Sequence, residues 1–465
     1  MSCVDYPKSK INLKNYQKIP SKFILNPLNR GLLLLFNVGF GKSLTSITMI
    51  RCLLTKYPTK NVVILTPASL ISNFTNEIDK VSKDISQDIL NRISIETYGK
   101  FINKIKKKHL QANSNTILVC DEAQYLIGQG SKRFTYLYNY SEKASKVILL
   151  SATPVRNNPE EISNLLSLLN GYKVSKSLIV NINNIPDREK RLSSLYRILK
   201  CRIMFYGFGQ KDSEEFAERV DHNIELIMSN EFYERYYLIQ QDIRKELPDV
   251  FKNTKNLQSF LNGIRRAINI VSADIKSPKI DWVINKVKKD LGLIEGFKGN
   301  KKVLIYSNWL DAGVNLVKKE LDNIGIKYSE VTGSLTRTQK DNEIKKYNTD
   351  KTKVIIISSS GSEGLNLKNT RSVIILERAW NESRLEQVIG RAIRLNSHKT
   401  LPLAQRKVDI YHLILVKPKS AIKMNDFVLS SDQILDKLST NKQYKIDDFY
   451  TFVKKISMQH DKSCF

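Results

Sequence analysis

The 465-residue sequence predicts an α/β protein with two parallel-sheet domains and a mainly helical segment between them. Short apolar runs alternate with helical patterns near the N-terminus, and the same alternation returns around residue 301. Between these parts lie long charged helical patterns with few strand-like runs. Strands that alternate with helices are typical of a parallel sheet. We therefore expect domains at 1–170 and 279–425, a helical insertion at 171–278 and a basic extension at 426–465.

Ten apolar runs have the length of buried strands. Most of those in the first domain end in a polar or small residue, and ligands of open α/β sheets bind outside the carboxyl ends of the strands. The residues that follow the strands are therefore the first candidates for a site. The predicted strands are 31–36, 62–66, 93–97, 116–120 and 147–151 in the first domain, and 303–307, 328–332, 354–358, 373–376 and 408–414 in the second.

The first predicted strand leads into a glycine-rich loop, Gly-Phe-Gly-Lys-Ser at 39–43, which precedes a helical pattern. Glycines let consecutive backbone N–H groups surround phosphate oxygens, a lysine supplies charge for the β- and γ-phosphates, and a serine hydroxyl binds magnesium. Phe36 occupies the position where the full pattern has a glycine, and a glycine turn with a surface lysine is the alternative. The loop predicts phosphate ligands at Gly39, Gly41, Lys42 and Ser43.

An acidic pair, Asp121 and Glu122, directly follows the predicted strand 116–120. An aspartate in this place can hold magnesium, and an adjacent glutamate can polarise the water that attacks a γ-phosphate. A turn or a helix N-cap is the usual alternative for such a pair. Because the acidic pair follows a glycine-rich loop in the same domain, we favour the interpretation that it forms the second half of an ATP site.

A Ser-Ala-Thr-Pro sequence at 151–154 ends another predicted strand. Its hydroxyls can bond to the acidic loop or to substrate phosphates, and a turn with a helix cap explains the tetrapeptide equally well. Its order after the glycine-rich loop and the acidic pair favours a role in the site.

Two arginines in the second domain, Arg391 and Arg394, lie three residues apart on a predicted helix. Two guanidinium groups on one face suit the spread negative charge of a transferring phosphoryl group. The alternative is an exposed basic helix whose arginines pair with Glu382 and Glu386.

The chain is strongly basic, with 75 Lys and Arg against 46 Asp and Glu and a net charge of +29. Such a surface attracts polyanions, of which nucleic acid is the first candidate and an anionic membrane surface the second. The sequence is also rich in Lys, Asn and Ile, which an AT-rich coding sequence favours. An AT-rich coding sequence is therefore an alternative explanation for part of the lysine excess.

The five cysteines stand far apart, without the spacing of a zinc site, and we expect reduced thiols in an intracellular protein. No run approaches the roughly 18 apolar residues of a membrane span, and the first ten residues are polar and charged. We expect a soluble protein of the cytosol, the nucleus or a particle.

Taken in order, these motifs resemble the series of the superfamily-two helicases. Within that group they are similar to the Swi/Snf-type branch and to the helicase-like nucleoside triphosphatases and early transcription factor ATPases of large cytoplasmic DNA viruses. The resemblance covers 13–398. It implies two tandem RecA-like domains that bind ATP and magnesium in the cleft between them.

The implied function is that of an ATP-dependent helicase or translocase in viral-type transcription or genome handling. The alternative is a transcription-complex or packaging ATPase that acts as a scaffold without separating strands. The implied partners are nucleic acid, with DNA favoured over RNA, and RNA polymerase or other transcription machinery, but no membrane. The resemblance places such a protein in the virion or in a viral factory in the host cytoplasm.

The resemblance also implies site residues that the patterns alone do not single out. Gln17 matches the glutamine that recognises adenine, and Gln387, Arg391 and Arg394 match the last motif, whose arginines supply an arginine finger. The expected nucleic-acid contacts are Thr66, Ser69, Thr97, Thr332, Ser360 and Gly361.

Three features depart from the family pattern. Aromatic residues stand at Phe36 and Phe40, where small residues are usual. Gln124 stands where His or Asp is frequent, which bears on how hydrolysis is coupled to strand engagement. The sequence Ser-Ala-Thr-Pro is intermediate between strand-separating helicases and Swi/Snf translocases, and it does not decide between unwinding and translocation.

Overall fold

Contacts within the chain divide it into two compact units, Met1–Ser213 with Lys442–Phe465, and Glu214–Asn441. Each unit contains one six-stranded sheet whose paired strands are all parallel. This confirms the predicted fold class of two parallel-sheet domains. The computed structural model describes residues 2–107, 110, 113–126, 132–207, 216–246, 254–297, 299–359, 361, 365–380, 382–423, 426–458 and 461–465.

The sheet of the first unit has the strand order β3-β2-β4-β5-β1-β6. Strands β1, β4 and β5 are buried along their whole length, as expected of central strands that helices cover on both faces. Because all strands run the same way, the loops that follow β1, β4 and β5 lie at one edge. The strands are β1 Gly31–Phe36, β2 Asn61–Thr66, β3 Ile93–Thr97, β4 Thr116–Cys120, β5 Lys146–Ser151 and β6 Ile203–Tyr206.

Helices of the first unit pack on this sheet, and apolar residues of β1, β4 and β5 such as Leu33, Leu118 and Leu149 form its core. The helices are α1 Asn15–Ile24, α2 Lys42–Lys56, α3 Ile71–Val81, α4 Gln87–Asn91, α5 Tyr98–Lys106, α6 Lys132–Glu142, α7 Ile162–Asn170, α8 Lys176–Asn183 and α9 Arg188–Leu199.

The sheet of the second unit has the order β7-β12-β11-β8-β10-β9. Its strands are β7 Glu218–Ile227, β8 Lys302–Ser307, β9 Tyr328–Val331, β10 Val354–Ser358, β11 Thr370–Ile375 and β12 Lys407–Val416. Its helices are α10 Asn230–Glu246, α11 Thr254–Ile264, α12 Pro278–Leu291, α13 Asn315–Asn323, α14 Arg337–Asn348, α15 Glu382–Ala392 and α16 Ser431–Lys455, whose last part belongs to the first unit. Within the described part of the chain, no helix is both long and apolar enough to cross a membrane.

All ten predicted strands are present, with small shifts at their ends, but the sequence did not predict β6 and β7. Both lie in 171–278, which was expected to be mainly helical and does contain α8 to α11. Strand β6 has only four residues, and β7 alternates exposed and half-buried positions instead of forming an apolar run. An edge strand of this kind lacks the pattern of a buried strand. The domain boundaries inferred from the sequence stay a prediction.

Two disulfides join Cys3 to Cys52 and Cys201 to Cys464, and Cys120 is a free, buried cysteine. The expectation of reduced thiols is therefore wrong for four of the five cysteines. The fold brings together residues that are distant in sequence, because the N-terminal segment packs on α2 and the C-terminal segment returns to β6. The Ser457 hydroxyl, for example, accepts a hydrogen bond from the Phe205 N–H at 2.9 Å.

Candidate functional site

The loop between β1 and α2 has the backbone shape of an anion cradle. Gly39 and Gly41 adopt φ values of 89° and 75°, a region that L side chains rarely occupy, and α2 begins at the next residue, Lys42. The N-terminus of a helix carries unpaired N–H groups and a partial positive charge. The Lys42 ammonium folds back over the loop and donates to the Phe36 carbonyl at 2.8 Å. The loop therefore presents both features that a phosphate group requires.

Gln17 on α1 lies directly against this loop and is 5% exposed. A Cβ atom at Gly41 would lie 2.5 Å from the Gln17 Nε2 atom, and the φ of 75° at Gly41 would strain any other residue there. The Gln17 Oε1 atom accepts from the Lys14 N–H at 2.9 Å and so caps the start of α1. This bond orients the side-chain amide, and its NH₂ group lies beside the loop.

The acidic pair after β4 lies at the same sheet edge. Asp121 is 6% exposed and accepts a hydrogen bond from the Thr66 hydroxyl at 3.0 Å. Burial raises the pKa of Asp121 to about 7, and the neighbouring Glu122 carboxylate adds to this rise, whereas Thr66 and the Lys42 charge oppose it. A nearby cation favours the ionised form of such a buried carboxyl.

The residues present fit a magnesium ion that is bound together with a nucleotide. Magnesium prefers one or two carboxylates together with substrate phosphates and water, rather than a cage made of protein ligands alone. Asp121 and the Ser43 hydroxyl at the start of α2 offer oxygen atoms of that kind. Among the described residues there is no group of three or more His, Cys, Asp or Glu side chains that could hold a metal alone.

Gln124 links the acidic loop to the end of β5. Its amide nitrogen donates to the Glu122 carboxylate, and its amide oxygen accepts from the Ser151 hydroxyl at 2.7 Å. The Ser151 oxygen in turn accepts from the Thr153 N–H at 3.0 Å. Gln124 is 1% exposed. The Ser-Ala-Thr-Pro segment is thus bonded to the acidic loop through Gln124, which is one of the two roles that its sequence predicted.

The residues of the first unit that were expected to contact nucleic acid differ in their exposure. Thr66 is fully buried and bonded to Asp121, so we reassign its side chain from the surface to the acidic loop. Ser69 is exposed in a short 3-10 turn. Thr97 is half-buried and its hydroxyl accepts from the Lys100 N–H at 3.2 Å, which makes it the N-cap of α5.

In the second unit, Thr332 is 1% exposed and shares a hydrogen bond of 3.0 Å with Ser334, so its side chain also offers no surface to a nucleic acid. Gly361 lies against the end of β9, because a Cβ atom there would lie 2.0 Å from the Val331 carbonyl oxygen. Position 361 therefore requires glycine for this close approach to β9. Ser360 lies outside the described residues.

The two candidate arginines do not share a helix. Arg391 occupies the last turn of α15 and is 7% exposed, whereas Arg394 follows the end of that helix. The chain turns there because the Ser397 hydroxyl accepts from the Arg394 N–H at 3.1 Å, and the Arg394 Nε atom donates to the Gly390 carbonyl at 3.3 Å. The prediction of two guanidinium groups on one helix face is therefore wrong, although both residues lie at the same end of α15. Gln387 is half-buried on the helix.

The acids proposed as alternative partners of these arginines contact other residues. Glu386 forms a two-pronged ion pair with Arg219 of β7, at 2.7 and 2.8 Å. Glu382 lies 3.9 Å from Arg378. These contacts fasten α15 to the sheet of the second unit.

Comparison with known proteins decides the family. Residues 14–274 match the model of the SNF2-related domain, and residues 283–396 match that of the helicase conserved C-terminal domain. The chain belongs to the SNF2-related family.

The relatives of this SNF2-related chain include viral proteins. A protein of Acanthamoeba polyphaga mimivirus named as an ATP-dependent RNA helicase is 30% identical over 93% of this chain and 94% of its own length. Nucleoside triphosphatase I of Choristoneura biennis entomopoxvirus is 27% identical over 97% of this chain and 80% of its own length. The SNF2-related chain is a nucleoside-triphosphate hydrolase of the helicase-like type.

A solved structure supports the fold alone. The helicase domain of Pyrococcus furiosus Hef superposes with a TM-score of 0.51 at 15% identity, over 87% of this chain and 95% of that domain. Both chains therefore contain the RecA-like sheet domains that the motif series implied.

Sequence reasoning missed Glu377 of this SNF2-related chain. It follows β11 and is fully buried, and it accepts hydrogen bonds from the Ser307 hydroxyl at 2.7 Å and the Asn308 N–H at 2.9 Å. Burial raises the pKa of Glu377. An acid directly after an apolar run was the signal that singled out Asp121, and it was available here too. Glu377 holds the loop that follows β8.

Proposed function

We propose that this chain is an ATP-dependent helicase or translocase of nucleic acid that works in viral-type transcription or genome handling. The observation that carries the proposal is the convergence of Lys42, Asp121 and the Gln124 bridge at one edge of the first sheet. The Lys42 charge acts on Asp121, and Gln124 joins Glu122 to Ser151. A site with this composition suits the transfer of a phosphoryl group from ATP.

Each residue of this edge has a proposed role. The loop N–H groups and Lys42 bind the β- and γ-phosphates, and Gln17 contacts the base. Ser43 and Asp121 would hold magnesium, which would neutralise charge on the phosphates. Glu122 orients the attacking water and accepts its proton. Asp121 would bind the metal as the ionised carboxylate.

Arg391 and Arg394 are proposed to stabilise the charge of the transferring phosphoryl group, with Gln387 as a further polar contact. Arginine fingers of this kind contribute roughly 10³ to 10⁵ in rate where they have been measured. The family resemblance supports this role, and the burial of Arg391 fits a positioned guanidinium better than a freely moving surface side chain.

Nucleic acid is the proposed polymer substrate, with DNA favoured over RNA. The net charge of +29 supports a polyanionic partner, and phosphate contacts supply most of the affinity of sequence-tolerant binding. Binding should therefore weaken steeply as salt rises. Ser69 and Thr97 remain the proposed backbone contacts of the first unit, and Gly361 with Ser360 those of the second. RNA polymerase or other transcription machinery is the proposed protein partner.

Phosphate release by the purified chain tests the proposal, measured alone and with single- and double-stranded DNA and RNA. We expect at least one polymer to raise the ATP turnover of the wild type severalfold. The substitution Lys42→Ala should abolish ATP turnover. Lys56→Ala is the matched control, because it removes the same charge from the other end of α2, where Lys56 contacts the Leu25 carbonyl. No stimulation by any polymer would overturn the proposed substrate.

Strand-displacement and triplex-displacement assays then separate the two motor activities. A product in the first indicates unwinding, and a product only in the second indicates translocation on a duplex. If neither assay gives a product while ATP hydrolysis and binding to a polymerase subunit are intact, the chain is a scaffold ATPase and the proposed motor function is wrong.

A further inference from the structure

Tyr206, the last residue of β6, lies at the centre of an aromatic cluster behind the phosphate loop. Its ring stacks on the ring of Tyr16 with centroids 3.6 Å apart and planes 10° apart. It also makes edge contacts with Phe40 and Phe36, at centroid distances of 5.7 and 6.1 Å. Tyr206 is 7% exposed, and both phenylalanines are almost fully buried. The cluster therefore joins the two aromatic residues that depart from the usual loop pattern.

The same cluster is hydrogen-bonded to the loop backbone at two points. The Asn37 N–H donates to the Tyr206 carbonyl at 3.0 Å, and the Tyr16 hydroxyl donates to the Phe40 carbonyl at 3.1 Å. Tyr16 also precedes Gln17, whose amide lies against Gly41. Tyr206 thus contacts the beginning of the loop directly, and it contacts the end of the loop through Phe40 and Tyr16.

These contacts matter because the loop backbone is intrinsically pliable. Gly39 and Gly41 give it the positive φ values it needs, but glycine also has the largest conformational freedom to lose. A loop that binds phosphate through N–H groups works best when those groups already point inward. Stacked and edge-on aromatic pairs are directional contacts, so they hold the loop in one shape.

We propose that Tyr206 is a positioning residue for nucleotide binding. Its ring holds Tyr16 and Phe40, and through them it keeps the loop 37–41 in the shape that receives phosphate and keeps Gln17 beside Gly41. The inference rests on the proposed assignment of this loop as the ATP site. Tyr206 acts through other residues and has no part in the chemical step.

The test is ATP binding and hydrolysis by the full chain carrying Tyr206→Leu, compared with Tyr206→Phe. Binding is measured with a fluorescent ATP analogue and magnesium, and hydrolysis is measured as KM and kcat without nucleic acid. We expect Tyr206→Leu to raise Kd and KM about five- to thirtyfold, with kcat at saturating ATP within about twofold of the wild type. Tyr206→Phe keeps the ring and should bind ATP as the wild type does.

Tyr140→Leu is the matched control for loss of a buried tyrosine. Tyr140 is 5% exposed in the same unit and makes an edge contact with Phe101 at 4.9 Å, but it is not part of the cluster behind the loop. We expect it to lower the thermal midpoint about as much as Tyr206→Leu and to leave KM unchanged. If both leucine variants change KM equally, or if Tyr206→Phe is as impaired as Tyr206→Leu, the proposal is wrong.

Tyr16→Phe provides a second variant with little risk to folding. It removes only the hydroxyl that donates to Phe40, and it should raise KM about two- to fivefold. An unchanged KM would contradict the proposed anchor at Phe40. Lys42→Ala separates the two levels of inference. Wild-type binding by Lys42→Ala would overturn the site assignment itself, whereas lost binding by Lys42→Ala with intact binding by Tyr206→Leu would overturn the positioning role alone.

Discussion

Gln124 donates a hydrogen bond from its side-chain amide to the carboxylate of Glu122. The other end of the same amide accepts from Ser151 at 2.7 Å, so one side chain spans the acidic loop and the end of β5. An amide offers both a donor and an acceptor and does not titrate. Glutamine at this position can therefore bridge the two segments without any change of protonation state.

Gln124→Glu tests whether this bridge matters for hydrolysis. The substitution keeps the shape but replaces the donor to Glu122 with a second carboxylate, and like charges at this distance repel. We expect kcat to fall about ten- to a hundredfold with little change in KM for ATP. Steady-state kinetics with and without nucleic acid provides the measurement. A kcat equal to that of the wild type would show that the bridge has no role in turnover.

The buried imidazole of His398 should make the stability of the second unit depend on pH. It is 2% exposed, with Nε2 2.6 Å from the Thr370 carbonyl oxygen and Nδ1 2.8 Å from the Ser397 hydroxyl, and burial lowers its pKa. Because the unfolded chain binds the proton more tightly, stability is full above the unfolded pKa of about 6.5 and falls as pH drops below it.

Chemical unfolding of the wild type and of His398→Gln between pH 5 and 8 measures this contribution. The amide of glutamine can donate to Thr370 but does not titrate. We expect the wild type to lose at most about 1.4 kcal/mol per pH unit more than the variant below pH 6.5. Parallel stability profiles for the two proteins would refute the assignment of this proton to His398.

The disulfide between Cys201 and Cys464 predicts redox-dependent stability of the first unit. It closes a sequence separation of 263 residues and fastens the C-terminal segment beside β6. Loss of a native disulfide usually lowers the free energy of unfolding by about 2–5 kcal/mol. We expect Cys201→Ser with Cys464→Ser to have this effect.

A reducing agent provides the internal control for that measurement. It should destabilise the wild type more than the double variant, in which only the bond between Cys3 and Cys52 is left to reduce. If reduction lowers the thermal midpoint of both proteins by the same amount, the bond to Cys464 does not stabilise the unit.

We expect the substitution Glu377→Ala to lower the stability of the second unit strongly. The substitution removes the buried carboxylate that accepts from the Ser307 hydroxyl and the Asn308 N–H, which should lower the free energy of unfolding by about 2–4 kcal/mol. Glu330→Ala is the matched control, because Glu330 forms a partly exposed ion pair with Lys318 at 2.5 Å. Such pairs contribute about 1 kcal/mol or less. Equal losses from the two variants would contradict the structural role of Glu377.

Local patterns predicted the elements that carry the proposed site. The strand β1, the glycine loop and the start of α2 each depend on a short stretch of sequence, and the structure contains all three. The same holds for β4 and the acidic pair, because a fully buried strand in a parallel sheet appears as an unbroken apolar run.

The contacts between these elements could not be predicted in the same way. Thr66 meets Asp121 because β2 pairs with β4, and Gln124 reaches Ser151 because β4 pairs with β5. Such neighbours depend on strand order, which hydrophobic periodicity does not encode. For the same reason the contacts of Phe36 and Phe40 with Tyr206 could not be predicted, because they depend on the pairing of β6 with β1.

The most direct test of the account is ATP turnover by Glu122→Gln in the presence of the polymer that stimulates the wild type most. Glutamine keeps the shape of the side chain but cannot accept the proton of the attacking water. The account predicts that the variant binds ATP as tightly as the wild type and releases phosphate at less than about one hundredth of its rate. Phosphate release at the wild-type rate would show that the hydrolytic site lies elsewhere in the chain.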